Sequence, residues 1–98
     1  MKALKLENSG VTEVDIDNTL KSLQAAVDGY IETVRLVPGR AVMIVNEEGL
    51  LRGMPHNITA SLAAGTQIVG PAIVVGVDGE EFTDIPADIA RCIRAMFA

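Results

Sequence analysis

The sequence predicts an α+β fold: a small, mostly antiparallel sheet of about five to seven short strands, with two amphipathic helices and one short helix. Three observations support this prediction. Apolar runs of strand length recur along the chain, two segments place their apolar side chains at helical spacing, and pairs of strands flank tight-turn signals. We expect the 98 residues to form a single domain, 1–98.

The N-terminal third predicts a hairpin followed by a helix. Two strands, "MKALKLE" and "VTEVDID", flank the turn-forming residues Asn8, Ser9 and Gly10. Asp17 or Asn18 offers an oxygen to the first amides of a helix, and Gly29 follows where a left-handed residue would end it. The predicted apolar face of this helix consists of Leu20, Leu23, Val27 and Tyr30.

The middle of the chain predicts a second hairpin and a short helix. The runs "YIETVRLV" and "RAVMIVNEEG" flank Pro38-Gly39, which is typical of a turn. In "NITASLAAG", Ile58 and Leu62 are four residues apart, and Gly65 ends the predicted helix. The following segment, 66–85, is rich in β-branched residues and predicts strands, interrupted at Gly70-Pro71 and folded back at Asp78-Gly79.

The C-terminal segment "TDIPADIARCIRAMFA" predicts the second amphipathic helix. Asp84 is the expected cap, Pro86 is in the first turn, and Asp88 is placed to complement the helix dipole. Cys92 is expected to be an inert, buried thiol. The predicted apolar face consists of Ile85, Ile89, Ile93 and Met96.

Composition excludes several classes of function. The net charge of −5 disfavours generic DNA binding, and the 3% aromatic content disfavours base stacking along a single strand. No apolar run approaches the length of a membrane span, and one cysteine fits a reducing, cytoplasmic location. Residues 34–77 contain three arginines and only two acidic residues, both glutamates. Whether Arg35, Arg40 and Arg52 form one positive surface depends on the strand order and stays open at this point.

The sequence offers no catalytic, metal or cofactor motif. His56 is the only histidine, and one histidine with one cysteine cannot form a zinc site without carboxylates. No glycine-rich phosphate loop is present. A serine–histidine–aspartate arrangement assembled across the fold is a minor alternative, with His56 as its base.

The stretch "NEEGLLRGMPHN", residues 46–57, has two interpretations. In one it is a turn at Gly49, a short extended piece "LLRG" and an asparagine cap at Asn57. In the other it is a ligand-binding loop, in which Gly53 admits a ligand to the backbone and Arg52, His56 and the helix end at Asn57 hold an anion. The candidate ligand-binding residues are Asn46, Arg52, Gly53, His56 and Asn57.

The same stretch, with "IVGPAIVVG", "EFTDIPADI" and "GYIETVRL", resembles a family known as domain of unknown function 3846. The resemblance extends over nearly the whole chain in the same order and at similar spacing. It implies small free-standing products of bacteria, phages and mobile elements, sometimes encoded near antirestriction genes. It implies no reaction, no cofactor and no catalytic residue.

The hypothesis that these observations favour is a non-enzymatic accessory protein of a phage or mobile element, acting by stoichiometric binding in the host cytoplasm. Its partner would be a host protein or a small anionic ligand such as a signalling nucleotide, as in anti-defence, and a homo-oligomer is expected. The alternatives are a small nucleotide-acting hydrolase using His56, and a structural or assembly module.

Overall fold

A computed structural model describes residues 1–97 of the chain and confirms the α+β fold class. Six strands within this range form one antiparallel sheet, and three helices pack against it. The elements in chain order are β1 (Lys2–Glu7), β2 (Gly10–Asp15), α1 (Leu20–Val27), β3 (Ile31–Val37), β4 (Ala41–Asn46), α2 (Ile58–Ala64), β5 (Ala72–Asp78), β6 (Glu81–Thr83) and α3 (Ala87–Met96).

The sheet order is β2-β1-β5-β4-β3, so β5 lies at the centre between the two N-terminal hairpins. Strand β6 folds back at Asp78-Gly79 and pairs with the end of β5, from Gly76 to Asp78. All three predicted hairpin turns are therefore confirmed. Strand β5 begins only at Ala72, so the sheet has a gap before this strand. Other parts of the chain line this gap, and the candidate site lies there.

Both faces of the sheet are covered, which explains why β4 and β5 are almost continuously apolar. Alternate residues of β5 point to opposite faces: Val74 packs with α2 and α3, and Ile73 with α1. The larger core lies on the side of α2 and α3. Its other buried strand residues are Leu4, Leu6, Ala41, Met43, Val45 and Ala72.

Helix α1 is shorter than its sequence pattern suggests. Thr19 is the N-cap, with its hydroxyl accepting from the Ser22 amide at 3.2 Å, so Asp17 and Asn18 were wrong as caps. Leu23 and Val27 are buried as predicted, and each stabilises the fold by about 1.5–3 kcal/mol. The prediction was wrong for the ends of the apolar face: Leu20 is 60% exposed and Tyr30, beyond the helix, is 64% exposed.

Helices α2 and α3 require further corrections. In α2, Thr59 and Ala60 are buried, whereas the predicted face residues Ile58 and Leu62 are exposed. Helix α3 has no side-chain cap, because the Asp84 carboxylate instead accepts from the Lys2 amide at 2.7 Å. Ile85, Ile89 and Ile93 are buried as predicted, but Met96 is 54% exposed, and Cys92 is exposed rather than buried.

The three arginines of the central segment do not form one surface. Arg40 precedes β4 and makes a two-pronged ion pair with Asp88 of α3, with both N–O distances 2.8 Å. Arg52 follows β4 and pairs with Asp28 beside α1. The two arginines thus lie at opposite ends of a six-residue strand, which is roughly 20 Å long.

Candidate functional site

A cleft of about 610 Å³ opens at the end of the sheet where β5 has not yet begun. Its walls are the end of β1 with the following turn, the C-terminal end of α1, residues 52–57, and the pair Gly70-Pro71. This volume lies within the usual range for small-molecule sites. The cleft contains four of the five candidate residues predicted from the sequence: Arg52, Gly53, His56 and Asn57. Asn46 does not line it.

The chain reaches the cleft through a compact series of turns. After β4, the Arg52 amide donates to the Glu48 carbonyl oxygen and the Met54 amide to that of Gly49, both at 2.9 Å. Gly53 has a φ of +65°, a conformation that glycine adopts without strain. The predicted extended conformation of "LLRG" was therefore wrong. The extended piece comes slightly later, where His56 bridges antiparallel to Val69.

Asn46 is an internal brace, buried at 4% exposure. Its Nδ2 donates at 3.0 Å to the carbonyl oxygens of Val27 and Asp28, and its Oδ1 accepts from the Glu48 amide at 2.7 Å. These bonds fasten the start of the loop to the end of α1. Since both polar atoms of its side chain are engaged inside the protein, we leave Asn46 out of the proposed binding surface.

Arg52 is held against the same helix end but stays partly open to the cleft. Its Nη1 donates to the Asp28 carbonyl oxygen at 2.5 Å and its Nη2 to the Asp28 carboxylate at 3.2 Å. Asp28 has a φ of +63°, so it, and not Gly29, is the left-handed residue that ends α1. A Cβ at Gly29 would lie 2.7 Å from Asn46 Nδ2 and 3.0 Å from Arg52 Nη1, so glycine is required by the close approach.

His56 lies on the cleft wall with its Nε2 3.2 Å from Ser61 Oγ. The Ser61 hydroxyl donates to the Asn57 carbonyl oxygen at 2.7 Å and accepts from the Ile68 amide at 2.8 Å. The same hydroxyl lies 3.2 Å from the Ile68 carbonyl oxygen, so Ser61 links His56 to the backbone on both sides of α2.

Asn57 is buried at 5% exposure and joins three parts of the chain. Its Oδ1 accepts from the Ala60 amide at 3.0 Å, which is the predicted cap of α2. Its Nδ2 also donates to the carbonyl oxygens of Leu6 and Gly70, each at 2.9 Å. Asn57 is thus fully engaged, and like Asn46 it shapes the site from within.

At the N-terminal end of α2, the amides of Ile58 and Ala60 are already bonded to asparagine side chains, so this helix end has fewer free donors than the ligand-binding interpretation of the sequence assumes. The Ile58 amide donates to Asn8 Oδ1 at 2.7 Å, and Asn8 Nδ2 donates to the His56 carbonyl oxygen at 2.9 Å. Asn8 lies in the β1–β2 turn, 50 residues away from Ile58. Sequence reasoning identified Asn8 only as a turn residue, because nothing local signals such a distant contact.

Three further charged residues that line the cleft, Lys5, Glu7 and Asp28, were not among the predicted candidates. Lys5 rises from β1 on the side of the sheet that carries α1, and its Nζ lies 3.8 Å from the Glu7 carboxylate. Its only sequence signal was its alternation with Leu4 and Leu6, which leaves the neighbouring face open to a charge. Lys5 and Arg52 are therefore the two cations of the cleft, and Glu7 and Asp28 are its two carboxylates.

The apolar part of the cleft comes from Met54, Pro55, Pro71 and Ala26. Met54 packs so closely on the backbone at Gly70 that a Cβ there would lie 2.5 Å from its sulfur. The lining of the cleft thus combines a thioether and two proline rings with two ion pairs, Lys5–Glu7 and Arg52–Asp28. Within residues 1–97, no three histidine, cysteine, aspartate or glutamate side chains are grouped so as to hold a metal ion.

The fold and the cleft define a small α+β domain with one sheet and a polar-rimmed site at its edge. The chain belongs to the family described as domain of unknown function 3846 (DUF3846), whose family model matches residues 1–98, the whole chain. This confirms the resemblance seen in the sequence. No curated protein and no solved structure matches the chain significantly. Among the helices described, none combines the length and apolar character that crossing a membrane requires.

Proposed function

We propose that the protein is a non-enzymatic accessory protein of a phage or mobile element, acting in the host cytoplasm by stoichiometric binding of a small anionic ligand such as a nucleotide. The observation that carries the proposal is the cleft of about 610 Å³, whose lining combines Lys5, Arg52 and His56 with apolar side chains. Arginine and lysine give charge-assisted hydrogen bonds to phosphate, and the apolar side chains accommodate the neutral part of the ligand. Sequestration of a signalling nucleotide is the corresponding anti-defence role.

The surroundings of His56 favour binding over catalysis. A serine nucleophile needs its hydrogen directed at the base, but the Ser61 hydroxyl directs it at the Asn57 carbonyl oxygen and lies partly buried. Within residues 1–97, Ser61 is the side chain bonded to the His56 ring, so a hydrolase that used His56 as its base would lack a carboxylate to orient it. We therefore place His56 as a hydrogen-bonding residue in the binding site.

The proposal is tested with the purified full-length chain and a panel of cyclic and linear nucleotides, by native mass spectrometry and calorimetry. We expect one ligand per cleft, recovered unmodified. Arg52→Ala should weaken binding by about 1.5–3 kcal/mol, the range for hydrogen bonds to charged groups. The control is Arg35→Ala, which removes the same charge from exposed strand β3. Equal affinity in wild type and the Arg52→Ala/His56→Ala double variant would reject the cleft as the site.

A second candidate function is an assembly module. Within residues 1–97, the outer strands β2 and β3 each pair on one side only, and open edges of this kind can pair with another chain. Leu50 and Leu51, at 75% and 89% exposure, add apolar surface on the loop after β4. Light scattering across a concentration series tests this function, and a monomer at every concentration would exclude self-assembly.

A further inference from the structure

We infer that the cleft selects a nucleotide with a single negative charge, a cyclic phosphodiester, over linear mono-, di- and triphosphates. This inference deepens the proposed function and rests on it. It follows from the balance of charge around the cleft, from the way in which each cation is already paired, and from the share of the lining that is apolar.

The charges around the cleft balance. Lys5 and Arg52 contribute two positive charges, and Glu7 and Asp28 contribute two negative charges. The whole chain adds a net charge of −5, which repels further negative charge at long range. A site built for a triphosphate would carry an excess of cations, because each phosphate oxygen must be matched at short range.

Each cation also has a carboxylate beside it. Arg52 Nη2 lies 3.2 Å from the Asp28 carboxylate, and Lys5 Nζ lies 3.8 Å from that of Glu7. A phosphate that approaches either cation therefore meets a carboxylate a few ångströms away. A single negative charge can pair with one of the cations, whereas each additional charge on the ligand is repelled by the carboxylates of Glu7 and Asp28.

The rest of the lining suits the neutral part of a nucleotide. Met54 offers a thioether, which packs favourably on aromatic rings, and Pro55 and Pro71 offer flat apolar surface. His56, whose Nε2 is 3.2 Å from Ser61 Oγ, places a second ring nitrogen on the cleft wall for a hydrogen bond with a ribose hydroxyl or a base. The nucleoside then provides most of the affinity, and the charge on the phosphate determines which nucleotide binds more tightly.

The test is a calorimetric series with 3′,5′-cyclic AMP, AMP, ADP and ATP at low ionic strength without divalent cations. We expect affinity to be highest for cyclic AMP and to fall about four-fold for each added charge, the effect of one unit charge at roughly 5 Å in water. Asp28→Asn and Glu7→Gln should each reduce this difference between ligands. Asp78→Asn, which removes the same charge from the β5–β6 turn at the other end of β5, should leave it unchanged.

The outcomes separate the inference from the proposed function. Affinity that rises with the number of phosphates would overturn the inference and leave the proposed nucleotide-binding function standing. A series in which Asp28→Asn and Glu7→Gln behave like Asp78→Asn would also overturn it, since the carboxylates would then have no part in selection. Failure of all four nucleotides to bind would reject the inference and nucleotide binding together.

Discussion

Arg52 and Asn46 donate to the same acceptor, the main-chain carbonyl oxygen of Asp28, at 2.5 and 3.0 Å. The two donors differ in their surroundings, since Asn46 is buried and the Arg52 side chain is 42% exposed. A shared acceptor therefore joins a structural residue and a candidate ligand-binding residue at the left-handed end of α1. This arrangement allows the two roles to be separated by mutation.

We expect Asn46→Ala to destabilise the protein by about 1–3 kcal/mol, because it leaves the buried carbonyl oxygen of Val27 and the partly buried amide of Glu48 without the asparagine side chain. Arg52→Ala should leave the unfolding midpoint in urea close to that of the wild type, because exposed ion pairs contribute little. Chemical denaturation of the two variants side by side measures the difference. An Arg52→Ala variant as unstable as Asn46→Ala would show that Arg52 is part of the folding framework.

Asn57 should contribute more than a helix cap to stability. Asn57→Ala removes the cap and both donated hydrogen bonds, so the loss should exceed the about 1 kcal/mol typical of a cap alone. Asn57→Asp is the matched control, since it keeps the capping oxygen but directs a carboxylate at the carbonyl oxygens of Leu6 and Gly70. We expect both variants to be destabilised. A fully stable Asn57→Asp variant would mean that only the cap matters.

Gly76 should resist substitution more strongly than any turn glycine. A Cβ at this position of β5 would lie 2.2 Å from the Asp84 carbonyl oxygen, a backbone atom that cannot rotate away. Gly76→Ala should cost about 1–3 kcal/mol through overpacking, measured as a fall in the unfolding free energy. Gly39→Ala, in the β3–β4 turn, is the comparison, because φ is +73° there and the Cβ meets open space, so any loss comes from backbone strain alone. A Gly76→Ala variant as stable as the wild type would show that β5 accommodates the added Cβ.

Acid stability should depend on the pair formed by Arg40 and Asp88. The Arg40 guanidinium lowers the pKa of Asp88 from 3.8 to about 2, so the folded state favours the ionised carboxyl. This stabilisation is present above the unfolded pKa and is lost as the pH falls from about 4 to about 2. Asp88→Asn should therefore lower the melting temperature at pH 6 more than at pH 2, measured by circular dichroism.

Asp78→Asn serves as the control for this acid effect, because Asp78 is an exposed residue at the end of β5. The difference in melting temperature between Asp88→Asn and Asp78→Asn at each pH isolates the contribution of the pair with Arg40. An Asp88→Asn variant whose loss of stability is the same at pH 6 and pH 2 would show that the pair with Arg40 contributes nothing to folding.

Much of the fold was predictable because it follows from local pattern. The turns at Asn8-Ser9-Gly10, Pro38-Gly39 and Asp78-Gly79 each require particular residues, and the alternation of apolar side chains marks the strands. The imperfect alternation of β3 has a local cause as well: a bulge between Arg35 and Val37 shifts the register against β4. Several of the errors lie at helix ends, where Leu20, Tyr30 and Met96 extend an apolar face beyond the sheet that covers it.

The site was only partly predictable because it depends on strand order. Arg52, Gly53 and His56 lie close together in the chain, and the loop that carries them does line the cleft. Lys5 and Asn8 reach it only because β5 is inserted beside β1, which brings the start of the chain next to residues 52–57. The periodicity of the sequence cannot reveal that insertion. Nor can it show that Asn46 and Asn57 are buried, since both belong to a residue type that is usually exposed.

The burial of these two asparagines has a consequence for how the lining of the cleft can be changed by mutation. Asn46 and Asn57 fix the two ends of the loop through main-chain atoms, while the side chains that face the cleft, Arg52 and Met54, lie between them. Arg52 and Met54 make contacts of their own, with the Asp28 carbonyl oxygen and with Gly70, but the hydrogen bonds of the two asparagines do not depend on them. Substitutions at residues 52 and 54 should therefore alter the lining of the cleft while both ends of the loop stay anchored.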